Sequence, residues 1–141
     1  MKKFAVLLFA VLFLTGCASN GGSDDVVEIG ERFFVEQMED IVLNSSRYVG
    51  RTIRYEGLFR TFHWPPTGET FYYVIRYTMG CCGEEPRGFE LNPDGITPFP
   101  ENAWVEVIGV LERLTDGDRS GTLMLRIISL TELEARGAEF V

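Results

Sequence analysis

The stretch Ile53-Arg54-Tyr55-Glu56-Gly57-Leu58-Phe59-Arg60-Thr61 decides how this chain is read. Ile53, Tyr55, Gly57, Phe59 and Thr61 alternate with Arg54, Glu56, Leu58 and Arg60. Successive side chains of a strand point to opposite faces, so period 2 marks a strand with one buried face. Upstream the period is different. Across residues 29–46, Phe34, Met38, Ile41, Val42 and Ser45, with Phe33 beside them, recur at the spacing of one helical face. Glu31, Glu36, Glu39 and Asp40 lie mostly on the other side, several near the N-terminus where the helix dipole favours negative charge. Asn44-Ser45-Ser46 weakens the helix and Gly50 turns the chain toward the strand.

Downstream, His63-Trp64-Pro65-Pro66-Thr67-Gly68 ends the first strand, because paired prolines cannot donate to a ladder. Residues 71–78, rich in aromatic and β-branched side chains, read as a second strand, and 88–91 as a short third. Asn92-Pro93-Asp94-Gly95, Pro98 and Pro100 make a long loop before Trp104. Residues 104–114 and 123–130 form a last hairpin across a polar turn, and 131–141 is expected to add a helical turn. The expected fold is therefore mainly β: one N-terminal α-helix, then five strands. With Gly57 and Gly109 at bends, those strands best fit a small, partly open OB-like barrel.

The chain has 141 residues, of which 45% are hydrophobic and 24% charged, within the range of a folded globular domain. Its formal net charge is −8, and loss of Lys2 and Lys3 with a leader would take it to −10. A basic footprint for nucleic acid is missing, and electrostatic attachment to anionic lipid is disfavoured.

Met1-Lys2-Lys3 precedes residues 4–14, which contain no polar side chain. Eleven helical residues span about 16 Å against roughly 30 Å of bilayer hydrocarbon, so this is a signal-peptide core rather than a span. Leu14-Thr15-Gly16-Cys17 then resembles the lipobox of bacterial lipoproteins. The resemblance implies cleavage before Cys17 and acylation of that residue, and two or more acyl chains anchor stably. The expected organisation is a lipoprotein signal peptide at 1–16, lipidated Cys17 and a flexible polar tether to residue 28, and a helix-plus-barrel domain at 29–141. The expected location is the extracytoplasmic face of the cell membrane or the outer membrane. Ala18 is not the Asp that resembles an inner-membrane retention signal, which slightly favours the outer membrane.

Tyr77-Thr78-Met79-Gly80-Cys81-Cys82-Gly83-Glu84-Glu85-Pro86 follows the second strand. Together with Gly50-Arg51-Thr52-Ile53-Arg54-Tyr55-Glu56-Gly57 and Arg76 ahead of the cysteines, it resembles the soluble C-terminal domain of the YcgQ-like family over residues 48–130. Those bacterial proteins usually join a membrane part to this domain. The resemblance implies the barrel fold and leaves activity undefined; an envelope protein or permease is the expected partner of the anchored domain. Where the family carries Ala-Asp-Ala after the cysteines, this chain has Gly83-Glu84-Glu85-Pro86.

Adjacent cysteines admit three readings. Thiolates favour zinc or copper(I), with His63, Glu84 or Glu85 as further ligands. Both thiols can reach one metal only in a turn, which Gly80 and Gly83 permit. In an oxidising compartment the pair could instead close a strained, labile disulfide. The third reading is that Cys81 or Cys82 is a small buried hydrophobe capping the barrel. Asp116-Gly117-Asp118-Arg119-Ser120-Gly121 copies the first half of a calcium loop, but Ile127 stands where the closing Glu belongs. Tyr55, Tyr73 and Arg76 are candidates for a ligand-binding face. No serine triad, phosphate loop or dinucleotide fingerprint is present, so a catalytic site is not expected. The leading expectation is a membrane-anchored, non-enzymatic binding domain acting at the Cys81-Cys82 turn. A thiol-based metal or redox protein and a structural envelope component are the alternatives.

Overall fold

The computed structural model describes residues 26–141; the expected leader, Cys17 and the tether as far as residue 25 lie outside the described residues. In chain order the elements are β1 (Val27–Glu28), a 3-10 turn (Glu31–Phe33), α1 (Phe34–Leu43) and a second 3-10 turn (Ser45–Arg47). Then come β2 (Thr52–Trp64), β3 (Glu69–Gly80), β4 (Gly83–Leu91), β5 (Trp104–Arg113) and β6 (Leu123–Glu132). The architecture is mainly β, with one short α-helix and a six-stranded sheet ordered β1-β2-β3-β4-β6-β5. A further pairing of β2 with β5 closes β2 to β6 into a hydrogen-bonded ring. Among the described residues no helix is long and apolar enough to cross a membrane.

The alternation in β2 places Ile53, Tyr55 and Phe59 inside, each at most 2% exposed. The helix lays Phe34, Met38 and Ile41 onto the same core, and the Phe34 ring meets Tyr55 edge-on at 5.8 Å. Just before Leu58, where β2 passes from pairing with β5 (52–58) to pairing with β3 (58–64), stands Gly57. A Cβ on Gly57 would lie 2.6 Å from the Ile75 carbonyl oxygen, so only glycine lets β2 and β3 come this close. At Gly109 the β5–β6 register shifts by one residue, a bulge that bends the sheet. The ring closes through the parallel pairs Glu90–Met124 and Leu91–Leu125.

Four features depart from the sequence expectation. The two-residue β1 pairs parallel to β2 inside the segment expected to be tether. The first strand continues through His63 and Trp64, because the ladder ends only where proline removes the donor. The third strand begins at Gly83, so β3 and β4 form one continuous hairpin. The tail is not helical; Tyr77 N–H donates to Glu139 O at 2.8 Å and Val141 N–H to Tyr77 O at 2.9 Å, beside β3. The tail and Trp104 also cover part of the outer face. Leu58, of wet-face parity, is fully buried there against Ile75 and Trp104, with partly buried Leu133 packed on them.

Candidate functional site

Cys81 and Cys82 are the two turn residues of the β3–β4 hairpin, since Gly80 pairs with Gly83. Both cysteines keep negative φ, and Gly83 supplies the left-handed residue at φ +128°. Glycine adopts that conformation without the steric cost a Cβ would bring. The turn gathers both side chains on one side, with the sulfurs 3.4 Å apart, and both cysteines are free and exposed. Adjacent residues of a straight strand would hold their thiols on opposite faces, so the turn itself makes the pair. Met79, next to the tip, is 74% exposed.

The helpers expected from the sequence are placed unequally. Glu84 is exposed opposite Met79. Glu85 folds across Gly80 and accepts from Arg87 Nη2 at 2.9 Å. His63 pairs with Thr70 near the other end of β3, its Nδ1 3.3 Å from Thr70 Oγ1. Thr70 and Gly80 are ten residue steps apart along β3, roughly 33 Å at strand rise, so His63 stands outside the thiol site. Among the described residues no group of three or more His, Cys, Asp or Glu side chains converges on a metal position. The Asp116–Asp118 turn likewise holds no such group.

Of the three residues expected on a ligand face, two are interior. Tyr55 is 2% exposed, and its hydroxyl donates to Val74 O at 2.8 Å and accepts from Phe89 N–H at 3.0 Å. Val74 and Phe89 are ladder partners on β3 and β4, so the phenol is inserted into that ladder. Burial pushes its ionisation well above the ordinary tyrosine range. Arg76 is 3% exposed, with its guanidinium between the rings of Phe34 and Trp104 at 5.3 and 4.9 Å. It donates to Glu56 O at 2.8 Å, Ala138 O at 3.1 Å and Glu31 Oε2 at 3.1 Å, tying β2, the tail and the first 3-10 turn to β3. The Ala138 amide, then Arg76, hold the Glu31 carboxyl below the usual carboxylate range. Both residues carry the period-2 signature of the inner face, which is why they are core.

Tyr73 alone of the three stays half-exposed. Burial and then the neighbouring Glu90 charge raise its phenol. Glu90 is a buried carboxylate satisfied by Arg119 and, at 3.4 Å, by the Tyr73 hydroxyl. Next to it lies a feature the sequence reading missed: a run of outward aromatic rings at Phe62, Trp64 and Phe71. The outward parity of residues 62, 64, 71 and 73 was its only signal, and the expected strand break at His63 hid it.

No curated protein and no solved structure matches the chain. A family model, the DUF1980 C-terminal domain, matches residues 16–141, nearly all of the sequence and every element described above. The chain belongs to the DUF1980 C-terminal domain family.

Proposed function

We propose that this chain is a lipid-anchored, extracytoplasmic binding domain that works through the dithiol at its β3–β4 tip. The observation that carries the reading is the pair of exposed thiols 3.4 Å apart on one side of a two-residue turn. Anchoring through Cys17 rests on the lipobox Leu14-Thr15-Gly16-Cys17 behind its basic and apolar leader. The closed ring of β2 to β6 is read as a small OB-like barrel, and the domain as kin to the soluble C-terminal domain of the YcgQ-like family. An envelope protein or permease is the natural partner for such a surface-held domain.

The sulfur separation selects among ligands. With metal–sulfur bonds of about 2.3 Å, sulfurs 3.4 Å apart subtend about 95° at the bound atom. A bent chelate such as zinc fits after a small opening of the pair, whereas a linear two-coordinate ion needs about 4.6 Å at the same bond length. Protein supplies two thiolates, and the remaining positions are open to water, a partner or cargo. The second reading is a disulfide switch, in which an external disulfide takes both hydrogens and leaves Cys81–Cys82 bonded at about 2.05 Å.

Thiol counting and zinc titration on the full chain in detergent test this, with mass spectrometry of Cys17 reporting the anchor. The expected result is two reactive thiols at the tip that one equivalent of zinc or of a trivalent arylarsenical protects, with protection lost in Cys82→Ser. Thiols that ignore zinc and arsenical would exclude the chelate. Thiols that appear only after reduction would replace it by the disulfide.

A further inference from the structure

The outer face at the far end of the β2–β3 hairpin carries an aromatic surface that the dithiol reading does not use. Phe62 and Phe71 are ladder partners with rings stacked at 6.4 Å, and Trp64 continues the row 6.1 Å from Phe62. Phe62 is 50% exposed and Trp64 45%. The β5–β6 loop forms the opposite wall, enclosing a groove of about 680 Å³. Contiguous exposed rings cost solvation free energy unless something covers them, so such a patch marks a contact surface.

Charge identifies the occupant. Glu69, Asp116 and Asp118 line the groove, and its only cation among the described residues is Arg119. That guanidinium is already held by Glu90 and lies over the Phe71 ring at 4.5 Å. The fold thus stacks one arginine of its own on the innermost ring. Among the described residues no cation lies over Phe62 or Trp64, which line the groove together with Glu69, Asp116 and Asp118. A planar guanidinium stacks on aromatic faces while its N–H groups reach carboxylates, a combination neutral ligands lack.

We propose that this groove binds an arginine-bearing segment of a partner protein, its guanidinium stacked on Phe62 and Trp64 and paired with Asp116 or Asp118. The site lies roughly 30 Å from the thiols along β3 and is independent of them. The chain's two tryptophans provide the readout, because Trp104 is buried and Trp64 exposed.

The test titrates the full chain in detergent with the peptide Gly-Arg-Gly-Arg-Gly, following iodide quenching of Trp64. Its citrulline counterpart keeps the shape and loses the charge. The arginine peptide should protect Trp64 saturably, and the citrulline peptide should fail at tenfold higher concentration. Phe62→Ala should weaken binding about tenfold, and Asp116→Asn with Asp118→Asn by at least as much. Glu36→Gln with Glu39→Gln, the same charge change on α1, should stay within twofold. Equal binding of both peptides, an equal loss in the α1 control, or retained affinity in Phe62→Ala would each overturn the proposal. So would protection of Trp64 by a chito-oligosaccharide but not by the arginine peptide.

Discussion

Replacing Tyr55 by Phe removes one oxygen atom, and the structure says what that atom does. The hydroxyl stands between Val74 O and Phe89 N–H, 2.8 and 3.0 Å away, at two residues no more than 4% exposed. Without it, a buried acceptor and a buried donor lose their partner, each at about 1–3 kcal/mol, offset in part by the easier burial of phenylalanine. Direct closure of the gap is obstructed because β3 and β4 already touch one residue away, where a Cβ on Gly88 would lie 2.0 Å from Val74 O. The expected cost is about 2–4 kcal/mol, or a Tm lowered by roughly 6–16 °C for a domain of this size. Urea unfolding followed by circular dichroism gives the stability, and amide exchange at Phe89 reports the bond itself. A second signature is alkaline. The folded phenol ionises above the unfolded value of about 10, so its stabilisation is complete below that pH and is lost as pH climbs toward the folded value. Tyr55→Phe should therefore show a shallower alkaline decline than the parent. A loss below about 0.5 kcal/mol with Phe89 exchange unchanged would refute the inserted-phenol account.

Two other perturbations follow from the same geometry. Gly88→Ala should cost about 3 kcal/mol or more by the same urea assay, since the added carbon meets backbone rather than a movable side chain. Glu31 has its carboxyl held below the ordinary range, so its stabilisation is present above about pH 4.3 and fades as pH falls through the folded value. Acidification, or Glu31→Gln at neutral pH, should free the tail before the sheet opens. Exchange at the Ala138 and Val141 amides rising ahead of that at Val107 is the check, and simultaneous release would contradict this role of Glu31 in holding the tail.

Much of the architecture was legible because it is written in short-range period. The 2-residue alternation at residues 53–61 and the 3.6-residue spacing of Phe34, Met38 and Ile41 each need only near neighbours to be read, and both elements formed where expected. Boundaries were less legible. His63 and Trp64 remain in β2 because a partner strand, not local propensity, holds them. The tail took a place beside β3 that its own sequence does not announce.

The site divided along the same line. Sequence alone established an adjacent cysteine pair bracketed by glycines, an acidic lysine-poor chain, a Leu14-Thr15-Gly16-Cys17 motif that resembles a lipobox, and a mainly β domain. Tertiary structure decided which candidates meet. The sulfurs share one side because Gly80 pairs with Gly83, and His63 lies away from them because the hairpin register sends it to the opposite end. Tyr55 reaches partners 19 and 34 residues away, and Arg76 a carboxylate 45 residues away, only once β2, β3, β4 and the first 3-10 turn are packed together. Period and composition depend on neighbours along the chain, whereas a phenol set into a ladder or a guanidinium held between two rings depends on elements distant in sequence being packed together.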